Sequence, residues 1–495
     1  MKISVECISA VDQKCDLLVV NAFEGAKQLG GAAAVVDKAL GGMLTKLVKD
    51  GEIDGKLGKV TLIHSNGKLK THRVAVVGLG KQDKFDLEAV RTAAAAAVKK
   101  AREVKAKNLA TIVHGAGVGG LNPGESAKAL VEGSVLGVYH FSGYAKEKEE
   151  PDFEVEQLVL IECDRKKINA ISQGAKLGLI IAEAENHARD LVNEPANKMT
   201  PSVFARLAER IARINGLRFT SLDPKKEKML ALWAVARGSS EPPRLVALEY
   251  RGNTRSKEKI ALIGKGITFD SGGISLKPSK KMDEMKADMA GAAAVLGTMS
   301  LLADLKPKKN VIGVIPLTEN MPSGHATKPG DVVGSLSGYT IEVTNTDAEG
   351  RMILADAITF AKKCGATQII DVATLTGGCI VALGDAATGI IGNDQKLIDK
   401  VIEAGNKCGQ KAWQLPLYDE YKESLKSTLA DIKNTAGTGK AQPSTGAAFL
   451  AKFVGDTPWA HLDIAGTAFL EKGRGYLPEG ATGVPVRTLI ELLNG

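Results

Sequence analysis

Along the first third of the chain, short apolar runs alternate with Ala-rich segments of helical period. DLLVVNAF, KVTLIHS, HRVAVVGLG and LATIVHG read as strands, and GGAAAVVDKALGGMLTKLVKD and VRTAAAAAVKKAREVKA as helices. The opening MKISVECISAVDQKCDLLVV alternates polar and apolar positions like a further strand. Strand and helix periods in turn predict an α/β layer. A polar, charged stretch, KEKEEPD at 146–152, precedes one more strand, QLVLIECD, and the long helical segment INAISQGAKLGLIIAEAENHARDLV. The expected division is a smaller N-terminal α/β domain over 1–165, a connecting helix over 166–192 and a C-terminal domain over 193–495.

Beyond that helix the pattern repeats on a larger scale. RLVALEY, KIALIGK, NVIGVIPL, QIIDVATL and WAHLDIAG read as strands, separated by helices such as MAGAAAVLGTMSLLADL and ILADAITFAKKCG. Near-continuous apolar strands alternating with helices predict a largely parallel sheet sandwiched by helices. Ligands in such sheets bind outside the carboxyl ends of the strands, so polar residues directly after those ends are the candidates for chemistry.

Composition narrows the function classes. The 495 residues are 44% hydrophobic and 25% charged, the balance of a globular protein. Lys and Arg exceed Asp and Glu by 65 to 57, an excess too dilute to demand a nucleic-acid partner. No run of about 18 apolar residues and no basic-then-apolar leader stands out, so the expectation is a cytoplasmic protein without a membrane span. The six cysteines form no C-x-x-C pair and no regular spacing, which argues against a disulfide framework and against a thiolate zinc site.

Several motifs resemble chemistry and fail. Gly115, Gly117 and Gly120 satisfy G-x-G-x-x-G, but the next strand-end acid, Asp164, lies more than twice the usual distance of about 20 residues away, so the spacing reads as a tight turn. Gly437, Gly439 and Lys440 lack the first glycine and the final hydroxyl of a phosphate loop, with Asn434 and Ala441 in those places. The seven histidines include no H-E-x-x-H and read as surface or hydrogen-bonded core residues, and no G-x-S-x-G elbow exists. Hydrolytic chemistry here needs carboxylates, lysines and metals. Two other classes stay open: a nucleic-acid-binding protein using the basic excess, and an enzyme using the N-terminal glycine loop on a nucleotide.

Two polar clusters follow strand candidates. After KIALIGK come Lys265, Asp270, Lys277 and Asp288 in a Gly-rich loop leading to a small-residue helix; after YTIEVTN come Asp347, Glu349 and Arg351 before another helix. A bland reading is available, in which Thr346 and Glu349 form a capping box, Asp288 caps its own helix and the lysines are solvated. Against it stand Arg351, at a helix start that disfavours positive charge, and Lys265, flanked by glycines after an apolar strand.

The run NTDAEGR at 345–351, the lysine and aspartate pattern from 265 to 288, NEPANKMTP at 193–201, ENMPSGHATKPGDVV at 319–333 and DVATLTGG at 371–378 together resemble the leucyl aminopeptidase family, also called cytosol aminopeptidases. The resemblance implies a metal-dependent aminopeptidase that releases N-terminal residues, preferentially Leu, from peptides with a free N-terminus in intracellular turnover. It implies two divalent ions in the C-terminal catalytic domain. Lys265, Asp270, Asp288 and Glu349 match the positions that hold the tight ion, and Asp270, Asp347 and Glu349 those of the exchangeable one. Four carboxylates balance two dications if Lys265 binds as a neutral amine, and mostly oxygen ligands suit Zn²⁺ or Mn²⁺, with Mg²⁺ or Co²⁺ at the exchangeable site. Lys277 and Arg351 match the catalytic positions, Lys277 as a donor to the developing oxyanion and Arg351 as the anchor of a bicarbonate ion. Met285, Thr374 and Ala468 match the lining of the first side-chain pocket, and Leu375 a backbone contact to substrate. A homohexamer is implied as well.

Overall fold

The computed structural model describes residues 1–144 and 153–494, so the charged stretch at 146–152 lies outside the described residues. The chain divides into two compact units, Met1–Asn186 with Lys472–Glu479, and His187–Glu471 with Gly480–Gly495. The change from one to the other falls within the helix Arg165–Asn193.

Six strands of the first unit form one sheet in the order Lys2–Cys7, Gln157–Glu162, Asn108–Ile112, Leu17–Ala22, Arg73–Gly78 and Val60–His64. All neighbours are parallel except the last pair. Alternation sends Leu17 and Val19 to one face and Leu18 and Val20 to the other, where each pair joins a separate apolar core. Burial on both faces is the reason that these strands read as continuous apolar runs. The segment expected as one Ala-rich helix breaks into Gly31–Ala39 and Met43–Lys49, because Gly41 and Gly42 adopt φ of 76° and 82°. The G-x-G-x-x-G spacing is a turn into the helix Pro123–Gly137, whose first amides, Gly124 and Glu125, donate to the Asn122 side chain. His114 is a core residue, hydrogen-bonded through Nδ1 to Asn21 at 3.0 Å, and its burial lowers its pKa to about 4. A late segment completes this unit: Tyr476 is buried with Ala95, Leu136 and Ala182, and the Lys99 ammonium donates to the Gly475 carbonyl at 2.6 Å.

The second unit is built on a mixed sheet with a parallel centre. Trp459–Asp463, Gln368–Ala373, Lys259–Gly264 and Asn310–Asn320 run parallel side by side, and Gly266–Asp270 extends the pairing along the far half of the last strand. Antiparallel neighbours flank this centre, Thr388–Gly392 with Ala412–Gln414 parallel to it at the edge on one side and Arg244–Arg251 with Arg218–Leu222 on the other. The helices Leu230–Ala236, Gly350–Lys363 and Gln442–Val454 share a core with one face, and Ala290–Ser300 packs on the other. YTIEVTN contributes only the two-residue strand Ile341–Glu342, which pairs with Val332–Val333 and Ile432–Lys433 in a separate small sheet. The NTDAEGR run therefore does not follow a strand of the main sheet.

The expected helix MAGAAAVLGTMSLLADL forms as Ala290–Ser300 followed by the short helix Leu302–Leu305, and a 3₁₀ turn, Met282–Met289, leads into it. By length and composition Met282–Leu305 is apolar enough to cross a membrane, but 78% of its apolar window is buried within the protein, as in a core helix. Its small residues have a steric cause. A Cβ on Gly264 would lie 2.4 Å from the Gly291 carbonyl, and one on Gly291 would lie 2.1 Å from the Val372 carbonyl. Helix and sheet thus meet backbone to backbone, and the contact is closed by hydrogen bonds from the Lys265 amide to Val372 and from the Ala292 amide to Lys265. On the opposite face, the buried Asp356 accepts the amides of Leu232 at 2.9 Å and Leu336 at 2.7 Å, tying a helix and a loop to Gly350–Lys363.

Two outcomes follow from these contacts. Gly291→Ala should destabilise the protein by about 1–3 kcal/mol through overpacking, whereas Gly324→Ala, which meets open space, should leave the urea midpoint near that of the wild type. Burial raises the Asp356 pKa to about 7, while the unfolded chain loses that proton near pH 4. The folded state therefore holds the extra proton between these values, and stability from this group is lost as pH rises through that window. Asp356→Asn should remove that slope from a stability-versus-pH series.

Candidate metal centre

The site gathers at the carboxyl ends of the parallel strands. Lys265 follows the strand Lys259–Gly264, and its side chain is only 3% exposed. Its ammonium donates to Asp288 Oδ1 at 2.8 Å and to the Thr374 carbonyl at 2.8 Å, and pairs with Glu349 Oε1 at 2.9 Å. Room for this side chain depends on Gly350, where a Cβ would lie 2.6 Å from the Lys265 Cε. Asp270 ends its own strand and accepts from the Gly272 amide at 2.9 Å and Asn320 Nδ2 at 2.8 Å. Lys277 lies 2.8 Å from Asp270 Oδ2 and 2.6 Å from Asp347 Oδ1. Five residues, Lys265, Asp270, Asp288, Asp347 and Glu349, thus come together with Lys277 from segments far apart in sequence.

The bland reading of these residues does not describe the structure. Thr346 and Glu349 form no capping box; Thr346 Oγ1 donates to the Gly272 carbonyl at 2.7 Å and accepts from the Ser275 amide at 2.8 Å, which joins the two polar loops. Glu349 is itself the residue before the helix, and its carboxylate turns to Lys265. Asp288 caps nothing: its Oδ1 takes Lys265 and Thr374 Oγ1, the latter at 2.7 Å.

Electrostatics sets the character of the site. Burial, then the neighbouring Asp270 charge, raises the pKa of Glu349, and the same two causes raise that of Asp347. Burial raises Asp288 too, opposed by Lys265. For Lys265 burial disfavours the charged form, but the carboxylates of Asp288, Glu349 and Asp270 outweigh it and hold its pKa above the ordinary lysine range. Lys277 is raised in the same way by Asp270, Glu349 and Asp347. The direction for Lys265 is opposite to that expected beside a dication, because here the ammonium is itself the neutralising charge.

The donor set fits hard divalent cations. Carboxylate oxygens of Asp270, Asp347 and Glu349 lie within 4.8 Å of one another. Asp288 Oδ2 and Glu349 Oε2 are buried and have no hydrogen-bonding partner among the described residues, a costly state for a carboxylate that a cation would relieve.

The remaining expected residues are distributed around this cluster. Arg351, buried in the first turn of Gly350–Lys363, donates from Nη1 to the Asn434 carbonyl at 2.9 Å, and its Nε has no partner among the described residues. Burial lowers its pKa to about 10, against the charges of Glu349 and Asp463, so it stays protonated near neutrality. Thr374 touches the cluster directly. Leu375 donates its amide to Asp463 Oδ1 at 3.2 Å. Met285 is half-buried one turn before Asp288. Ala468 is buried, its carbonyl accepting from the Thr482 amide, and no hydrogen bond ties it to the carboxylates.

Sequence reasoning misses Asn320, Asn434 and Asp463. Asn320 and Asp463 end main-sheet strands, so the strand-end rule points to both. Asn434 has no such signal; it holds the Thr344 and Asn345 amides through Oδ1.

Comparison with known proteins places the chain in a family. Sequence models match over residues 186–490 for the cytosol aminopeptidase family catalytic domain and over 19–148 for its N-terminal domain. A probable cytosol aminopeptidase of Geotalea uraniireducens is 47% identical over 464 residues, 93% of each chain, and one of Geobacter sp. (strain M21) is 45% identical, covering 100% of this chain and 99% of its own. Among solved structures, the bottromycin maturation enzyme BotP in complex with Mn aligns with a TM-score of 0.85 at 35% identity, over 97% of this chain and 99% of that one. A mutant of tomato leucine aminopeptidase aligns with a TM-score of 0.87 at 34% identity, over 100% and 96%. The chain belongs to the cytosol aminopeptidase family and is a metal-dependent aminopeptidase.

Proposed function

We propose that this aminopeptidase works with two divalent cations and prefers an N-terminal Leu. The observation that carries the reading is the convergence of Asp270, Asp347 and Glu349 beside the unpartnered oxygens of Asp288 and Glu349. Lys265, Asp270, Asp288 and Glu349 would hold the tight cation, and Asp270, Asp347 and Glu349 the exchangeable one, so Asp270 and Glu349 would serve both. Zn²⁺ and Mn²⁺ suit these ligands, with Mg²⁺ or Co²⁺ as alternatives at the exchangeable site. Bound there, such a pair supplies Lewis-acid polarisation of the scissile carbonyl, a lowered water pKa and a seat for the free α-amine.

The chain's own groups do the rest. The carboxylates around Lys277 favour its charged form, and as an ammonium it would donate to the oxyanion that develops at the carbonyl. Arg351 keeps its charge and has a buried N–H to spare, which suits it to hold a small oxyanion such as bicarbonate, a general base, next to the reacting water. With the Leu375 amide committed to Asp463, only the Leu375 carbonyl can serve the substrate backbone. Met285, Thr374 and Ala468 would line the first side-chain pocket. An apolar pocket separates side chains by about 1–3 kcal/mol per methylene, so a broad specificity centred on Leu is expected. The family's name supports a cytoplasmic location, and the resemblance of its motifs implies a homohexamer acting on peptides in general turnover.

The deciding experiment is hydrolysis of Leu-p-nitroanilide before and after chelation, with Zn²⁺, Mn²⁺, Mg²⁺ and Co²⁺ restored separately and an N-acetylated substrate as control. Activity removed by chelator, restored by metal and absent on the acetylated substrate is the expected result; chelator-resistant turnover would sink the two-cation reading. Asp347→Asn and Glu349→Gln should each abolish activity in a protein whose circular dichroism and unfolding midpoint stay close to wild type. Lys277→Ala should lower kcat more than it raises KM, since its hydrogen bond strengthens in the transition state. An unchanged kcat would remove Lys277 from the mechanism.

A further inference from the structure

Asp463 is the last residue of the strand Trp459–Asp463, and its side chain is fully buried. A carboxylate in such a place is costly unless it is saturated with donors. Its donors come chiefly from one loop: the Leu375 amide to Oδ1 at 3.2 Å and the Thr376 hydroxyl to Oδ2 at 2.7 Å, with the Ala465 amide also on Oδ1 at 3.2 Å. The same loop begins with Thr374, whose hydroxyl donates to Asp288 Oδ1 and whose carbonyl accepts from the Lys265 ammonium, each at 2.8 Å or less. Asp288 therefore owes its orientation to two donors on Oδ1, one of which sits on a loop that Asp463 fixes from behind. Its other oxygen, Oδ2, is the one without a partner.

We infer that Asp463 is a positioning residue for the tightly held cation: through Leu375 and Thr376 it sets the path of the loop, and the loop sets Thr374 against Asp288 and Lys265. The inference rests on the two-cation reading above. Removing a partner hydrogen-bonded directly to a metal ligand, as Thr374 is to Asp288, typically costs about 10- to 100-fold in metal affinity, and Asp463 acts one step behind Thr374. Asp463→Asn turns one acceptor into a donor facing either the Leu375 amide or the Thr376 hydroxyl. Thr376→Val removes the hydroxyl while keeping the shape, and Thr376→Ser keeps it. The hydroxyl also accepts from the Cys379 amide at the start of the helix Gly377–Leu383, so Thr376→Ser preserves both bonds.

The test is calorimetric titration of the chelator-stripped full-length protein with Mn²⁺, wild type beside the three variants, with thermal unfolding recorded for each. The tighter Mn²⁺ event should weaken by about 10-fold or more in Asp463→Asn and Thr376→Val and return to the wild-type value in Thr376→Ser. Variants that unfold at lower temperature but bind Mn²⁺ as the wild type does would overturn the inference and leave Asp463 a loop staple. If Asp463→Asn does not fold, Thr376→Val decides on the same criterion. A wild-type protein that binds no Mn²⁺ and no Zn²⁺ would instead overturn the metal centre itself, a result separate from normal wild-type binding that both variants retain.

Discussion

Four carboxylates brought into one buried site repel one another, and the architecture of the second unit is arranged around overcoming that repulsion. Each acid is anchored by donors that belong to a different element: Asp270 by Gly272 and Asn320, Asp288 by Lys265 and Thr374, Glu349 by Lys265, Asp347 by Lys277. Burial raises the pKa values of Glu349, Asp347 and Asp288, and two lysine ammoniums among four carboxylates supply too little positive charge to bring them back. The unpartnered oxygens of Asp288 and Glu349 are where added positive charge would be accepted most readily.

The parallel centre of the sheet is what makes this assembly feasible. Neighbouring parallel strands end on the same side, and each delivers one polar residue there: Lys265 after one strand, Thr374 after the next, Asp463, Asn320 and Asp270 at the ends of three others. The backbone-to-backbone seat of the helix beginning at Ala290 then brings Asp288 to within a hydrogen bond of Lys265. Precision comes from the main chain, where hydrogen bonds and van der Waals contact leave little freedom, and flexible side chains add only the final reach.

How much of this the sequence discloses depends on the range of the contact that fixes it. The apolar runs disclose the strands because burial on both faces is a property of each run by itself, as Leu17 to Val20 illustrate. Lys265, Asp270, Asp347 and Glu349 stand out because they follow strands or open helices. The separation of Ile341–Glu342 from the main sheet is not legible, since a short apolar run carries no information about which partner it meets. Neither is the role of Thr346, whose spacing to Glu349 suits a helix cap and whose hydroxyl is taken instead by Gly272, 74 positions away. The break at Gly41 and Gly42 was open to local reasoning, because paired glycines favour left-handed backbone.

The buried Tyr476 has a bearing on how the chain is made. The first unit is not a contiguous stretch of sequence: it takes in Lys472–Glu479, only sixteen residues before the last residue of the chain, and Tyr476 joins Ala95, Leu136 and Ala182 within it. On a ribosome, which synthesises from the N-terminus, the N-terminal sheet is complete some three hundred residues before this tyrosine emerges. The unit whose synthesis begins first therefore waits for its last segment until most of the second unit has been made.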